Sequence, residues 1–284
     1  MAGSTTTSLS DLLPQIVAEA LFQANEQSIM RGLVRNYPLG AGAGKTITVP
    51  VYPNQSASTL TEGSELSNDT VSTSSAILTV ETVGKRTLLT DLVRASSTSN
   101  VVADIGRLFG EAIARKMDQD LMALFKNFTT GAGDATTALT AATIAQAIAR
   151  LRAKGVPGEM LSCVVHPFVA YDMKADLTNT FANPAGGIIQ NIAMQTGYVG
   201  SLFGVPIYES SNMVADASEV GDYTGAVFHR DAMGIAMIGD IMIETERKAS
   251  FVGDDLVASA HYGVGILQDD RGVKITADSS LVSV

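Results

Sequence analysis

Residues 101–128, VVADIGRLFGEAIARKMDQDLMALFKNF, form the longest regular pattern in this chain of 284 residues. Large apolar residues recur every three or four positions, as they do along one face of an α-helix. Asp104 in the first turn, and Glu111 and Arg115 spaced four apart, also favour a helix. At 1.5 Å per residue this helix is about 40 Å long, more than a small compact domain needs. The positions predicted to face a core are Val101, Ile105, Leu108, Phe109, Ala112, Ile113, Met117, Leu121, Leu124, Phe125 and Phe128.

The chain before this helix contains an amphipathic pattern and two strand patterns. Ser10 is positioned to cap a helix whose apolar residues recur through 12–24. The run GAGAG at 40–44 ends the helical pattern, and KTITVPVY at 45–52 alternates as a strand. Residues 54–75 are rich in Ser and Thr and lead into a second strand pattern, AILTVETVGKRTLLTDL. A flexible linker is one interpretation. We favour the other, an extended two-stranded hairpin whose edges need a partner surface.

The chain after the long helix alternates helices and strands. Residues 129–134, TTGAGD, are predicted to form a loop, and residues 143–154 a helix. A buried strand at 161–165 and a helix opened by His166 and Pro167 follow, which indicates a compact α/β unit. Further strands are predicted at 204–210, 225–229, 232–243, 248–252, 257–267 and 273–276.

Composition and charge exclude several classes of protein. Apolar residues make up 46% of the chain, so it is able to bury a core, and its one cysteine, Cys163, is predicted to be a small core residue. The net charge of −10 argues against binding nucleic acid through a basic surface, although an acidic wall is compatible with enclosing DNA. The first residues lack the pattern of a signal peptide, and no stretch is long enough for a membrane helix. We expect a soluble protein made in a cytoplasm.

The segment GAGAGKT at 40–46 is similar to a phosphate-binding loop but is not one. The motif requires a glycine where this chain has Leu39, and it requires a helix where a strand is predicted. A Ser–His–Asp arrangement remains open because such triads form in space, but no GxSxG turn is present.

The histidines and paired acids also lack the spacing of a metal site. His166 precedes a proline and is predicted to cap a helix, while His229 and His261 lie in strand patterns. The acidic pairs at 254–255 and 269–270 are predicted to lie at solvated turns, because the spacing of a calcium loop is missing. We therefore expect no cofactor, no metal and no catalytic residue.

The order of these elements resembles that of the major capsid proteins of tailed bacteriophages, the Hong Kong ninety-seven type of shell fold. Three stretches are similar to recurring stretches of that family: LSCVVHP at 161–167, LFGVPIYES at 202–210 and HYGVGIL at 261–267. The resemblance implies an α+β fold with five parts in chain order. These are an N-terminal arm (1–50), an extended β-hairpin loop (51–90), a peripheral domain with the spine helix (91–138), an axial α/β domain (139–232) and return strands (233–284).

The resemblance also implies a function. The protein would be a major capsid protein that assembles with itself into hexamers and pentamers of an icosahedral shell around double-stranded DNA. It would be made in the host cytoplasm and located in the virion, with no membrane association. A portal, a separate scaffolding protein and decoration proteins would be its other partners. Glu62, Glu65, Lys85 and Arg86 are candidates for charged contacts between subunits, and solvated surface charges are the alternative.

Two other classes of function remain open. A cellular nanocompartment shell with the same fold is the first, and a cargo protein that copurifies in the absence of DNA would favour it. An enzyme or a secreted adhesin is the second. Turnover by a monodisperse monomer would favour the enzyme, and a signal peptide would favour the adhesin.

Overall fold

The computed structural model describes residues 28–281, apart from 41, 43, most of 53–72, 97–100, 181–197 and 216–221. The helix predicted over 12–24 and most of the Ser/Thr-rich segment lie outside the described residues. The helices are α1 (Met30–Leu33), α2 (Asp91–Ser96), α3 (Val101–Ala123), α4 (Ala141–Ala153) and α5 (Pro167–Thr180). The strands are β1 (Arg35–Leu39), β2 (Thr46–Val51), β3 (Ser74–Thr79), β4 (Glu81–Thr90), β5 (Gly131–Ala138), β6 (Leu161–Val165), β7 (Tyr198–Leu202), β8 (Val205–Glu209), β9 (Asp222–His229), β10 (Met233–Lys248), β11 (Gly253–Ile266) and β12 (Gly272–Asp278).

The larger sheet has six strands in the order β5-β12-β9-β6-β8-β7. Every residue of β6 and β9 is buried, as near-continuous apolar strands in the middle of a covered sheet require. The helix predicted over 143–154 is confirmed as α4, and it packs on this sheet through Ile144, Ala147, Ile148 and Leu151. Gly155 follows α4 with a φ of +77°, a backbone conformation that glycine adopts at helix ends without strain.

The second sheet has four strands in the order β1-β10-β11-β4, and its core face packs against the long helix α3. Strands β10 and β11 form a long antiparallel pair with an irregularity between Ile238 and Met242. A short 3-10 turn, Leu124–Asn127, follows α3 and directs Phe125 and Phe128 into the core. The predicted helix is thus confirmed, ending with this turn. The prediction for Leu108 is wrong, because its side chain is 62% exposed while its neighbour Phe109 is buried.

The third sheet is the hairpin of β2 and β3, which pair antiparallel from Thr46 with Thr79 to Val51 with Ser74. Its inner face packs on one end of the four-stranded sheet, where Leu78, Val80 and Leu267 are buried together. Strand β4 follows β3 directly but pairs with β11. The segment that we assigned to an extended loop therefore contributes strands to two different sheets.

Two local predictions are wrong. The segment predicted as a loop at 129–134 enters β5, which pairs in parallel with β12. Its small residues hide the strand pattern but allow close approach, since a Cβ at Gly133 would lie 2.4 Å from the carbonyl oxygen of Thr276. The strand predicted at 248–252 is instead a 3-10 turn, Ala249–Phe251, that joins β10 to β11.

Candidate assembly surfaces

Arg86, one of the predicted contact residues, is held within its own subunit. Its Nε donates to Oδ1 of Asp255 at 2.9 Å, and Nη2 lies 2.7 Å from Oδ2. This charge-assisted pair raises the pKa of the Arg86 guanidinium. Lys85, the preceding residue, is exposed. Glu65 is also exposed, and Glu62 lies outside the described residues.

The acidic pair at 254–255 is buried in β11, so the prediction of a solvated turn is wrong for it. Asp254 accepts from Arg94 of α2 at 2.9 Å and from Arg247 of β10 at 3.4 Å. Arg247 also makes a two-pronged contact with Asp91, at 2.7 and 2.6 Å, which lowers the pKa of that carboxyl. These ion pairs fix α2 against the turn of the long β10–β11 hairpin.

Four large apolar side chains are exposed at this end of the subunit. Leu92 and Val93 belong to α2, and Phe251 and Val252 belong to the β10–β11 turn. The two parts are in contact, because the Asp91 amide donates to the Val252 carbonyl oxygen at 3.0 Å. Val252 has a φ of +46°, a conformation that is unfavourable for a β-branched residue. We call these four residues the distal apolar patch, and their exposure is typical of a protein–protein contact.

Asp118 joins α3 to the start of the described chain, and the sequence analysis missed it. Its carboxylate accepts from Ser28 Oγ at 2.8 Å and from the amides of Ile29 and Met30 at 3.1 and 3.3 Å. Burial raises the pKa of this carboxyl, while the hydrogen bonds oppose that shift. The Asp118 side chain thus anchors residues 28–30 of the N-terminal segment to helix α3.

The histidines and the cysteine take structural positions. His166 Nδ1 accepts from the Phe168 amide at 3.3 Å, which confirms the predicted cap, and its ring stacks on Tyr223 at 3.7 Å between centroids. Burial lowers the pKa of His166 and raises the pKa of the Cys163 thiol to about 12. The thiol is buried, as predicted. Across the described ranges, no three His, Cys, Asp or Glu side chains come together as metal ligands.

His229 and His261 are likewise engaged in local hydrogen bonds. His229 Nδ1 accepts from the Asp231 amide at 3.2 Å, and His261 Nδ1 lies 2.9 Å from the Thr82 hydroxyl. Of the acids at 269–270, the first accepts from the Thr129 amide at 2.9 Å and the second pairs with Lys154 at 2.8 Å. Within the described part of the chain, no helix combines the length and apolar character needed to span a membrane.

The arrangement of hairpin, spine helix and two larger sheets is the fold of shell-forming capsid subunits. The structure is similar to the capsid of cyanophage P-SCSP1u, with a TM-score of 0.70, 18% identity and 89% of each chain covered. It is also similar to the mature capsid of bacteriophage PhiM1, with a TM-score of 0.67, 17% identity and 88% of this chain and 87% of that chain covered. The SrpI encapsulin complex from Synechococcus elongatus has a TM-score of 0.64, 11% identity and 90% and 89% coverage.

The profile of the phage capsid protein family matches residues 73–275, more than half of the chain. The chain belongs to the phage capsid protein family. The Hong Kong ninety-seven type of fold implied by the sequence is thereby confirmed. No curated protein matches the chain. Family membership implies a structural protein that associates with its own copies into a shell and is located in the virion.

Proposed function

We propose that this chain is the major capsid protein of a tailed bacteriophage, and that its hexamers and pentamers tile an icosahedral shell around double-stranded DNA. One observation carries the proposal: the β2–β3 hairpin stands outside both larger sheets and, among the described residues, buries one face against its own subunit while the other face is exposed. A two-stranded hairpin is marginally stable alone, so the remaining face and the chain between the strands fit a neighbouring subunit. The exposed distal apolar patch supplies a second surface for such contacts.

The remaining parts of the proposal concern partners and chemistry. The net charge of −10 fits a wall that encloses DNA without binding it by sequence. A portal, a separate scaffolding protein and decoration proteins are the further partners, and synthesis takes place in the host cytoplasm. The protein acts by assembly and not by catalysis. Glu62, Glu65, Lys85 and Arg86 contact neighbouring subunits, and Arg86 is in addition paired with Asp255 of its own subunit.

Replacing residues 56–72 by a short Asn-Gly turn tests this function, since the replacement keeps β2 and β3 intact. The variant should remain folded, with an unchanged melting temperature, and should fail to form closed shells in electron micrographs. A length-preserving variant with only Ser-to-Thr exchanges in the same segment serves as the control and should assemble. Shells of normal size from the shortened variant would contradict the proposal.

A nanocompartment shell is the second candidate, because an encapsulin complex and a virus-like particle from Pyrococcus furiosus share the fold at TM-scores of 0.64 and 0.62. The contents of particles made in the native host separate the two. Nuclease-protected double-stranded DNA supports the phage capsid. A defined cargo protein in particles without DNA supports the nanocompartment.

A further inference from the structure

The turn between β7 and β8 contains an aromatic residue in a conformation that does not suit it. Leu202 pairs with Val205, so Phe203 and Gly204 form a two-residue hairpin loop. Both residues have positive φ, +53° and +80°, and hairpin loops of this kind favour Asn-Gly. Phe203 is nevertheless 56% exposed, so the subunit does not gain a buried aromatic in return. The side chain is available to another molecule.

Phe203 forms one wall of an apolar groove on the six-stranded sheet. The opposite wall is α4, which contributes Ala145, Ala149 and Arg152, and the groove has a volume of about 320 Å³. Met160 lies at the same end of the sheet, because β6 and β8 are parallel neighbours. Met160 also has a positive φ, +57°, and is 64% exposed. Two strained apolar residues therefore protrude side by side at this edge.

The helix that forms one wall of the groove is positively charged: Arg152 lines the groove, and Arg150 belongs to the same helix. Helix α4 contains Arg150 and Arg152 and no acidic residue, and both arginines are exposed. Within the described part of the chain, neither arginine has a carboxylate within ion-pair distance, whereas Lys154 after the helix pairs with Asp270. An acidic segment with apolar side chains would match this surface.

The chain itself contains such a segment between β2 and β3. Residues 53–72 include three acids, Glu62, Glu65 and Asp69, together with Leu60 and Leu66. No Lys or Arg occurs from position 46 to position 84. Phe203 and Met160 remain exposed in the single subunit, which favours a second copy as the donor of the segment.

We propose that the groove between α4 and the β7–β8 turn receives the acidic segment 53–72 of a second copy of this chain. Phe203 packs against the leucines of that segment, and Arg150 and Arg152 face its carboxylates. The inference rests on the proposed shell function, because it names the receptor surface for the extended loop. The strain at Phe203 is then retained because the aromatic ring is used between subunits.

The variant Phe203→Asn separates this role from a structural one. Asn-Gly suits the turn, so the isolated subunit should keep or raise its melting temperature. The subunit concentration needed for shell formation, measured by light scattering, should nevertheless rise about tenfold, which corresponds to about 1.4 kcal/mol per subunit. Tyr171→Gln, at an exposed aromatic on α5, is the matched control and should leave that concentration unchanged. Normal assembly by Phe203→Asn would overturn the proposal.

Charge reversal tests the other half of the contact. The double variant Arg150→Glu/Arg152→Glu should assemble poorly, and combining it with Glu62→Lys/Glu65→Lys should restore shells. Failure of the combined variant, while each parent subunit remains folded, would contradict the pairing.

Cross-linking identifies the donor chain. Subunits with Ala149→Cys and subunits with Glu65→Cys are assembled together and oxidised, the native Cys163 being buried. A disulfide between the two different chains is expected. A disulfide found only within a chain that carries both substitutions, or none at all, would overturn the proposal. If shortening 56–72 abolishes shells while Phe203→Asn does not, the shell function stands and only the groove is wrong.

Discussion

Asp118 is a carboxylate on the buried side of α3 whose described partners are hydrogen-bond donors and not cations. Helix α1 has no side-chain cap of its own, so its first amides depend on this carboxylate from a distant element. A buried charge without a counter-ion is costly unless several donors solvate it. The side chain therefore connects the N-terminal segment to the spine helix at the expense of an unfavourable burial.

Replacing Asp118 by Ala should destabilise the subunit by about 3 kcal/mol, because its donors, which include the side chains of Ser28 and Asn212, lose their acceptor. Urea unfolding of the unassembled subunit measures the change. Asp104→Ala, at an exposed acid on the same helix, is the control and should cost under about 1 kcal/mol. Equal losses for the two variants would contradict the role of Asp118.

The same residue should give the stability a distinctive pH dependence. Because burial raises the pKa of Asp118 above the ordinary value of an aspartate, the folded subunit holds the proton of this carboxyl more tightly than the unfolded chain does. The stability that this bound proton contributes is complete below the ordinary pKa of an aspartate and is lost as the pH rises through the raised pKa. The wild type should therefore lose stability relative to Asp118→Asn across that window. Parallel pH profiles would show that the carboxyl titrates normally.

Sequence reasoning found the residues of local patterns and missed those that depend on distant partners. Asp118 had a usable signal, since it falls four residues after Ala114 and three before Leu121 on the buried stripe of α3. The sequence contains no comparable signal for Asp254 and Asp255. Their cations come from β4, α2 and β10, and only the fold brings these elements to one end of the subunit.

At the scale of elements, two glycines of β11 determine where the β2–β3 hairpin packs against the four-stranded sheet. A Cβ at Gly263 of β11 would lie 2.0 Å from the carbonyl oxygen of Thr79, and one at Gly265 would lie 2.6 Å from Cδ2 of Leu78. The missing side chains let β3 approach the four-stranded sheet and bury Leu78 and Val80 there. The direction in which the β2–β3 hairpin extends from the four-stranded sheet thus depends on Gly263 and Gly265.

The substitution Gly263→Ala should destabilise the hairpin contact by about 1–3 kcal/mol, because the clash is with backbone that cannot rotate away. Gly265→Ala should cost less, since the end of a leucine side chain is able to move. Hydrogen exchange of the β3 amides, with the melting temperature, measures both effects. Gly40→Ala is the control, because no atom lies within 4 Å of its added Cβ. Equal exchange rates in all three variants would show that β3 and β11 are not in close contact at these glycines.

Elements with large apolar residues were predictable, and elements defined by their neighbours were not. The long helix α3, the helix α4 and the central strands follow from apolar spacing alone. Strand β5, GAGDATTA, has almost no apolar pattern, and its place in the sheet depends on parallel pairing with β12. The groove between α4 and the β7–β8 turn could not be foreseen either, because the positive φ of Phe203 is a property of the turn and not of the residue type.

At the scale of the whole molecule, subunits with a net charge of −10 must approach one another to build a shell. Their mutual repulsion acts over the Debye length, which falls from about 30 Å at 0.01 M salt to about 8 Å at 0.15 M. Exposed ion pairs between subunits oppose this repulsion, but each contributes only about 0–1 kcal/mol. The apolar contacts that we propose for the distal apolar patch and for the groove between α4 and the β7–β8 turn do not weaken with salt. Electrostatic repulsion between subunits should therefore control how shell formation depends on salt concentration.

Raising the salt concentration from about 0.01 to about 0.15 M should lower the subunit concentration needed for shell formation several-fold, since screening removes repulsion and leaves apolar contacts intact. Light scattering against subunit concentration, with electron micrographs at each salt concentration, measures the threshold. Replacing exposed Asp240 and Glu244 by Lys lowers the net negative charge and should weaken the dependence. A threshold that rises with salt would mean that attraction between opposite charges, and not the net repulsion of the acidic subunits, dominates assembly.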